Sequence, residues 1–232
     1  MCIRDRVAGR VPVIAGTGSA ATARAIDQTR QAAALGADAV LVVTPYYNRP
    51  PQAGLEAHFR AVADVSSVPL VLYNVPSRTS VDLLPATVEK LAAHAQICGF
   101  KEAVADMTRV DDLVDRCGPE FTVLSGDDGS CRQAMQHGAS GVISVAANAA
   151  PAQMQALCAA ALAGNDEEAR RLNQELQALF DILMIETNPI PVKWALFEMG
   201  MIGSGLRLPL TALNEKHRAP LRVELGRLGL MA

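Results

Sequence analysis

The sequence has no CxxC pair; its five cysteines, Cys2, Cys98, Cys117, Cys131 and Cys158, are scattered and odd in number. Such a set reads as buried or free thiols in a reducing compartment, not as a disulfide framework. Its four histidines, His58, His94, His137 and His217, lie far apart, without zinc-ligand spacing. No metal and no cofactor is expected. The longest apolar stretches, such as residues 37–44, fall far short of the roughly 20 residues a membrane-spanning helix needs. Neither charge sign dominates: 21 Lys and Arg face 24 Asp and Glu, and no basic run stands out. Nucleic acid is therefore not expected as a partner. Residues 1–6 are polar and charged, with no apolar segment behind them that could serve as a secretory signal, so the cytoplasm is the expected location.

What is present is ample apolar material. Half of the 232 residues are hydrophobic and 19% are charged, enough to bury the core of one large domain or of one domain with a small extension. Short β-rich runs at residues 11–15, 39–43, 70–74, 97–101, 121–125 and 141–145 alternate with helical patterns, for example residues 22–34 and 83–95. The runs are apolar and mostly unalternating, as expected for strands buried on both faces of a parallel sheet. Successive runs are one strand-helix unit apart, which predicts an α/β fold. After residue 145 the β signal stops, and residues 151–163, 166–185, 191–199 and 217–228 read as helices. Six units followed by helices leave a closed eight-stranded barrel two units short. Met1-Cys2-Ile3-Arg4-Asp5-Arg6 looks like translated sequencing adapter. Residues 1–10 are accordingly read as a non-native or arm segment, 11–163 as a partial barrel and 164–232 as a helical domain.

Parallel α/β folds bind ligands at the C-terminal ends of their strands. Those ends deliver Gly16-Thr17-Gly18, Thr44-Pro45-Tyr46-Tyr47, Tyr73-Asn74-Val75-Pro76-Ser77-Arg78, Lys101-Glu102, Ser125-Gly126-Asp127-Asp128 and Ile143-Ser144. Lys101 closes an apolar run, where a lysine is rarely buried unless paired or functional. It either pairs with Glu102 or Asp127, or is a desolvated amine able to attack a carbonyl. Tyr73 ends the preceding strand, and all three tyrosines fall at strand ends, where proton transfer competes with packing as their role. Arg78 is either a carboxylate clamp or a solvated loop cation. The Gly16-x-Gly18-x-x-Ala21 run matches a dinucleotide fingerprint formally. The next strand, however, ends in Thr44-Pro45 rather than an acid, and Asp38 lies at its wrong end, so a tight turn explains the glycines.

These strand-end motifs, with residues 188–195 further on, resemble the dihydrodipicolinate synthase family of pyruvate-dependent class I aldolases from residue 11 onward. The resemblance implies a (β/α)8 TIM barrel, here lacking its first two strand-helix units, with a C-terminal all-helical extension. It also implies a homo-oligomer, a dimer of tight dimers in the complete enzyme. The implied reaction condenses pyruvate with L-aspartate 4-semialdehyde to 4-hydroxy-tetrahydrodipicolinate, in lysine and diaminopimelate biosynthesis. By resemblance Lys101 forms the Schiff base, Tyr73 shuttles protons and Tyr47 completes the relay across the tight-dimer interface. Arg78 would hold the aldehyde substrate's carboxylate, and Ile143 and Gly126 would line the substrate site. The resemblance puts a Thr-Thr-Gly-Glu loop after the second barrel strand, and this sequence has none, so weak or absent turnover is expected of the chain as written. Lysine-inhibited members often carry Asn and Glu where Ala20 and Arg24 stand. Tyr46 and Ala20 thus read as remnants of an allosteric site, and lysine insensitivity is expected. Sialic acid or keto-deoxy sugar-acid lyases, and a non-catalytic barrel fragment, are the competing readings.

Overall fold

The computed structural model describes residues 2–231, with Cys2 described by its backbone alone. Met1 of the expected arm lies outside them; the rest of its opening stretch forms helix α1, Cys2–Val7. The chain divides into two compact units: residues through Gly126 with His137–Ser140, and Asp127–Gln136 with Gly141 onward.

The first unit carries five strands: β1 (Ile14–Gly16), β2 (Ala39–Val43), β3 (Leu70–Asn74), β4 (Ile97–Glu102) and β5 (Thr122–Ser125). They lie side by side in sequence order, every pair parallel. Parallel neighbours need crossover connections, and helices supply them: α2 (Thr22–Ala34), α3 (Gln52–Ala63), α4 (Pro76–Thr79), α5 (Pro85–Ala92) and α6 (Met107–Cys117). Pro76 and Pro85 sit in the first turns of α4 and α5, where a missing N–H costs nothing. The Asp106 carboxylate caps α6 by accepting from Thr108 N at 3.0 Å.

Ladder register sorts the strand residues into rows. Val42, Leu72, Phe100 and Val123 are mutually paired and buried. Burying a Leu or Phe so completely contributes about 2–3 kcal/mol each. One residue further on, Val43, Tyr73, Lys101 and Leu124 form the next row, on the opposite face because strand side chains alternate.

The second unit contains α7 (Cys131–Gln136), α8 (Pro151–Leu162), α9 (Asp166–Leu183), α10 (Ile190–Glu198) and α11 (Glu215–Arg227). Met154, Leu157, Leu179, Phe180, Trp194 and Leu221 belong to its continuous apolar core. Asn165 caps α9, whose first turn holds Asp166, Glu167 and Glu168 against the positive helix end. Gly164, at φ 72°, turns the chain out of α8. The expected helical extension of residues 164–232 falls inside this unit.

Two strand expectations are corrected. Residues 141–145, read as a sixth strand, contribute only an isolated bridge at Val142. The Val145 and Ala146 amides instead donate to Asp128 Oδ2 at 3.1 and 2.8 Å, starting a short 3-10 turn at Ala146–Asn148. The first strand begins at Ile14, not Val11. Pro12 has no N–H to give a ladder, and Val13 N donates to Asp38 Oδ2 at 2.7 Å. Asp38 therefore anchors the start of β1, a structural job at the N-terminal end of the strand. Among the described residues no helix is long and apolar enough to cross a membrane.

Candidate active site

The row Val43–Tyr73–Lys101–Leu124 lies at the C-terminal ends of β2 to β5, and it organises the site. Lys101 is 8% exposed, and its Nζ lies 4.3 Å from the centroid of the Tyr73 ring. An ammonium held over an aromatic face gains quadrupole attraction, and a deprotonated amine there sits beside a phenol able to give and take a proton. Burial pushes the Tyr73 phenol above its ordinary range; Arg78 opposes that shift and Glu102 adds to it. The hydroxyl is thus a proton donor at neutral pH.

In front of Tyr73 opens a cavity of about 370 Å³ lined by Gly16, Leu41, Val43, Tyr46, Tyr73 and Arg78, among others. Gly16 meets no atom within 4 Å where a Cβ would stand, so its lack of a side chain keeps that wall open. Gly18 has the opposite reason: a Cβ would come within 2.6 Å of Val43 N. Close packing of the loop on β2 explains this second glycine of the apparent dinucleotide fingerprint.

Arg78 lies on the four-residue helix α4, and Ser80, at φ 59°, ends that helix in a left-handed turn. Thr79 pins the turn: its hydroxyl lies 3.0 Å from Val81 O and accepts from Thr44 Oγ at 3.2 Å. The Arg78 side chain is exposed at the cavity wall, placed to meet an anion from solution.

Gly126 follows β5, and its amide donates to Glu102 O at 2.6 Å. A Cβ there would stand 2.9 Å from both Lys101 Cε and Ala103 Cβ. Only glycine leaves the lysine its present path. The missing side chain at Gly126 therefore leaves room for the Lys101 side chain.

Other expected residues lie elsewhere. Tyr46 lines the cavity, whereas Tyr47, at φ 75°, is 91% exposed and points into solvent. Ala20 is held through its carbonyl, which accepts from Asn48 Nδ2 at 3.0 Å, and Arg24 is exposed on α2. Ile143 belongs to the second unit. Glu102, weighed as a partner for Lys101, instead sends its carboxylate to Arg109 Nε at 2.5 Å. It shares the face of Leu72 and Phe100, opposite Lys101. No local spacing in the sequence marks Arg109 and Asp82 as its partners. Among the described residues no group of three His, Cys, Asp or Glu is placed to hold a metal ion.

The model of the Dihydrodipicolinate synthetase family matches residues 1–227. A 4-hydroxy-tetrahydrodipicolinate synthase from Alcanivorax borkumensis is 52% identical over 99% of this chain and 79% of its own length. One from Stutzerimonas stutzeri is 50% identical over 98% and 78%. The crystal structure of chloride-inhibited dihydrodipicolinate synthase from Acinetobacter baumannii complexed with pyruvate is similar at a TM-score of 0.96 and 48% identity, covering 99% of this chain and 79% of that one. Such likeness gives the chain the TIM-barrel α/β fold. With the amine and phenol set side by side at the strand ends, the chain belongs to the dihydrodipicolinate synthetase family.

Proposed function

We propose that the chain is a Schiff-base lyase that condenses pyruvate with L-aspartate 4-semialdehyde, with Lys101 as the nucleophile. The observation that carries this reading is the Lys101 amine, buried and stacked over Tyr73, whose ring lines an open cavity. Its support in kind is the matched family, whose relatives are named synthases of 4-hydroxy-tetrahydrodipicolinate.

The chemistry asks for these residue types. The Lys101 amine attacks the pyruvate ketone, and the carbinolamine loses one water to give an imine. The imine is a better electron sink than the ketone, so the methyl group loses a proton to form an enamine. The enamine carbon attacks the aldehyde, whose oxygen takes up a proton. The amino group of that substrate then attacks the imine carbon and displaces Lys101, which regains its amine. Each step moves a proton, and the Tyr73 phenol, whose ring lies against the amine, is read as carrying it. Arg78 offers a bidentate partner for the carboxylate of the aldehyde substrate, and Gly126 leaves room for the Lys101 side chain.

The sheet β1 to β5 is read as the third to seventh strands of an eight-stranded barrel. Tyr47 is read as serving a second copy of the chain, in keeping with its exposure, and the expected setting is a cytoplasmic homo-oligomer. Lysine insensitivity follows from Ala20 and Arg24, since a guanidinium repels a cationic amino acid; strong inhibition in a lysine titration would overturn it. The test of the substrate class is a coupled assay that sets aspartate semialdehyde against sialic and keto-deoxy sugar acids. Condensation with the semialdehyde alone is the expected result, and preferential cleavage of a sugar acid would assign the chain to a different lyase.

A further inference from the structure

Lys101 and Glu102 are consecutive on β4 and leave opposite faces of the sheet. On the face away from the cavity, Arg109 of α6 donates to Glu102 Oε2 at 2.5 Å, to Asp82 at 2.8 and 3.1 Å, and to Leu83 O at 2.7 Å. Asn74 Nδ2 donates to Asp82 Oδ1 at 2.7 Å and to Glu102 Oε1 at 3.1 Å, while Asn74 Oδ1 accepts from Leu83 N at 3.0 Å. Val104 N adds a donor to Glu102 Oε1 at 2.9 Å. The Glu102 side chain is 1% exposed, and these contacts are all donors, as an ionised carboxylate requires. Burial pushes its carboxyl above the ordinary range, and Arg109, Val104 and Asn74 pull the other way.

The same ladder that pairs Asn74 with Glu102 pairs Tyr73 with Lys101. A slip by one residue would carry Lys101 to the wrong face, and the Asn74–Glu102–Arg109–Asp82 network ties β3, β4, α6 and the segment before α5 against it. We propose that Glu102 and Arg109 are positioning residues for Lys101: their ion pair fixes the register that sets the amine against Tyr73 and supplies the charge balance in which it sheds its proton. The proposal rests on the Schiff-base reading of Lys101. Around the amine, β3 and the turn after it bring Tyr73 and Arg78. β5 brings Ser125 and the uncharged Gly126, while on the far face of β4 the next residue, Glu102, is paired with Arg109 of α6 and, through it, with Asp82. Removal of either member of the buried pair leaves its partner's charge uncompensated beside β4, one residue along the strand from Lys101.

The test reads the sign of the tip. The pH midpoint for acetylation of Lys101 by acetic anhydride is measured by peptide mass mapping on the whole chain and on E102Q, R109Q and the E102Q/R109Q double variant, with folding checked by circular dichroism. E102Q removes a negative charge and should lower the midpoint by about 0.5 pH unit. R109Q should raise it by a similar amount, and the double variant should return it. A pair that only holds the fold together would shift neither, or both in one direction, and that result overturns the proposal. If R109Q does not fold, E102Q and the double variant decide. Pyruvate trapping is scored separately: a missing adduct in the parent chain refutes the Schiff-base reading, whereas an unmoved E102Q midpoint refutes the positioning role.

Discussion

Lys101 Nζ stands 4.3 Å from the centre of the Tyr73 ring because the two residues are ladder partners on β4 and β3. The contact is therefore set by backbone register, not by a flexible loop. Replacing Tyr73 with Phe keeps the ring and removes the proton carrier. Tyr73→Phe should still trap pyruvate on Lys101, while condensation falls by about 10²- to 10⁴-fold. Steady-state kinetics beside reductive trapping checks this; unchanged turnover would remove the phenol from the mechanism.

Gly126 offers a steric probe of the same amine. A Cβ at 2.9 Å from Lys101 Cε and Ala103 Cβ forces one of them to move. Gly126→Val should cost about 1–3 kcal/mol of stability and abolish pyruvate trapping in chain that remains folded. Gly126→Ala should show the same loss in milder form. Trapping at the parental rate in both would mean that the lysine path is not confined there.

Arg78 lines the cavity wall, and the proposed reading gives it the carboxylate of the second substrate. Arg78→Ala should leave imine formation with pyruvate intact and raise the KM for aspartate semialdehyde by about 10- to 100-fold, the loss of a charge-assisted bidentate contact. Saturation curves for the two substrates separate the effects; an equal loss for both would deny the arginine this selective role.

His58 makes folding acid-sensitive. It is buried between α2 and α3, its Nδ1 lies 2.9 Å from Thr22 Oγ, and its Nε2 has no hydrogen-bond partner. Burial lowers its pKa from 6.5 to about 4. Between those values the unfolded chain binds the proton and the folded chain does not, so stability falls as pH drops from about 6.5 to about 4, by about 3 kcal/mol in all. Urea unfolding at pH 7, 5.5 and 4 should show that decline, and His58→Phe should show less of it. A decline of equal size in the variant would assign it to other groups.

Much of the barrel segment was legible because its signals are local. Residues 39–43 and 70–74 form strands with the bounds their apolar runs suggested, and residues 22–34 form the expected helix. Departures occur where a distant side chain claims the backbone. Asp38 takes the Val13 amide and delays β1; Asp128 takes those of Val145 and Ala146 and leaves Val142 as a lone bridge. Lys101 could be picked out because a lysine ending an apolar strand needs a reason. The ion pair on the other side of β4 could not, since Glu102 meets Arg109 only when α6 folds back over the sheet. Nothing in their seven-residue spacing distinguishes them from surface charges.

The most direct test is borohydride reduction of the chain in the presence of pyruvate, followed by peptide mass mapping. The chain has four lysines, Lys90, Lys101, Lys193 and Lys216, so the assignment is unambiguous. A reduced pyruvyl adduct confined to the peptide bearing Lys101 is the predicted result. Folded chain that forms no adduct, or forms it on one of the other three, would contradict Lys101 as the nucleophile.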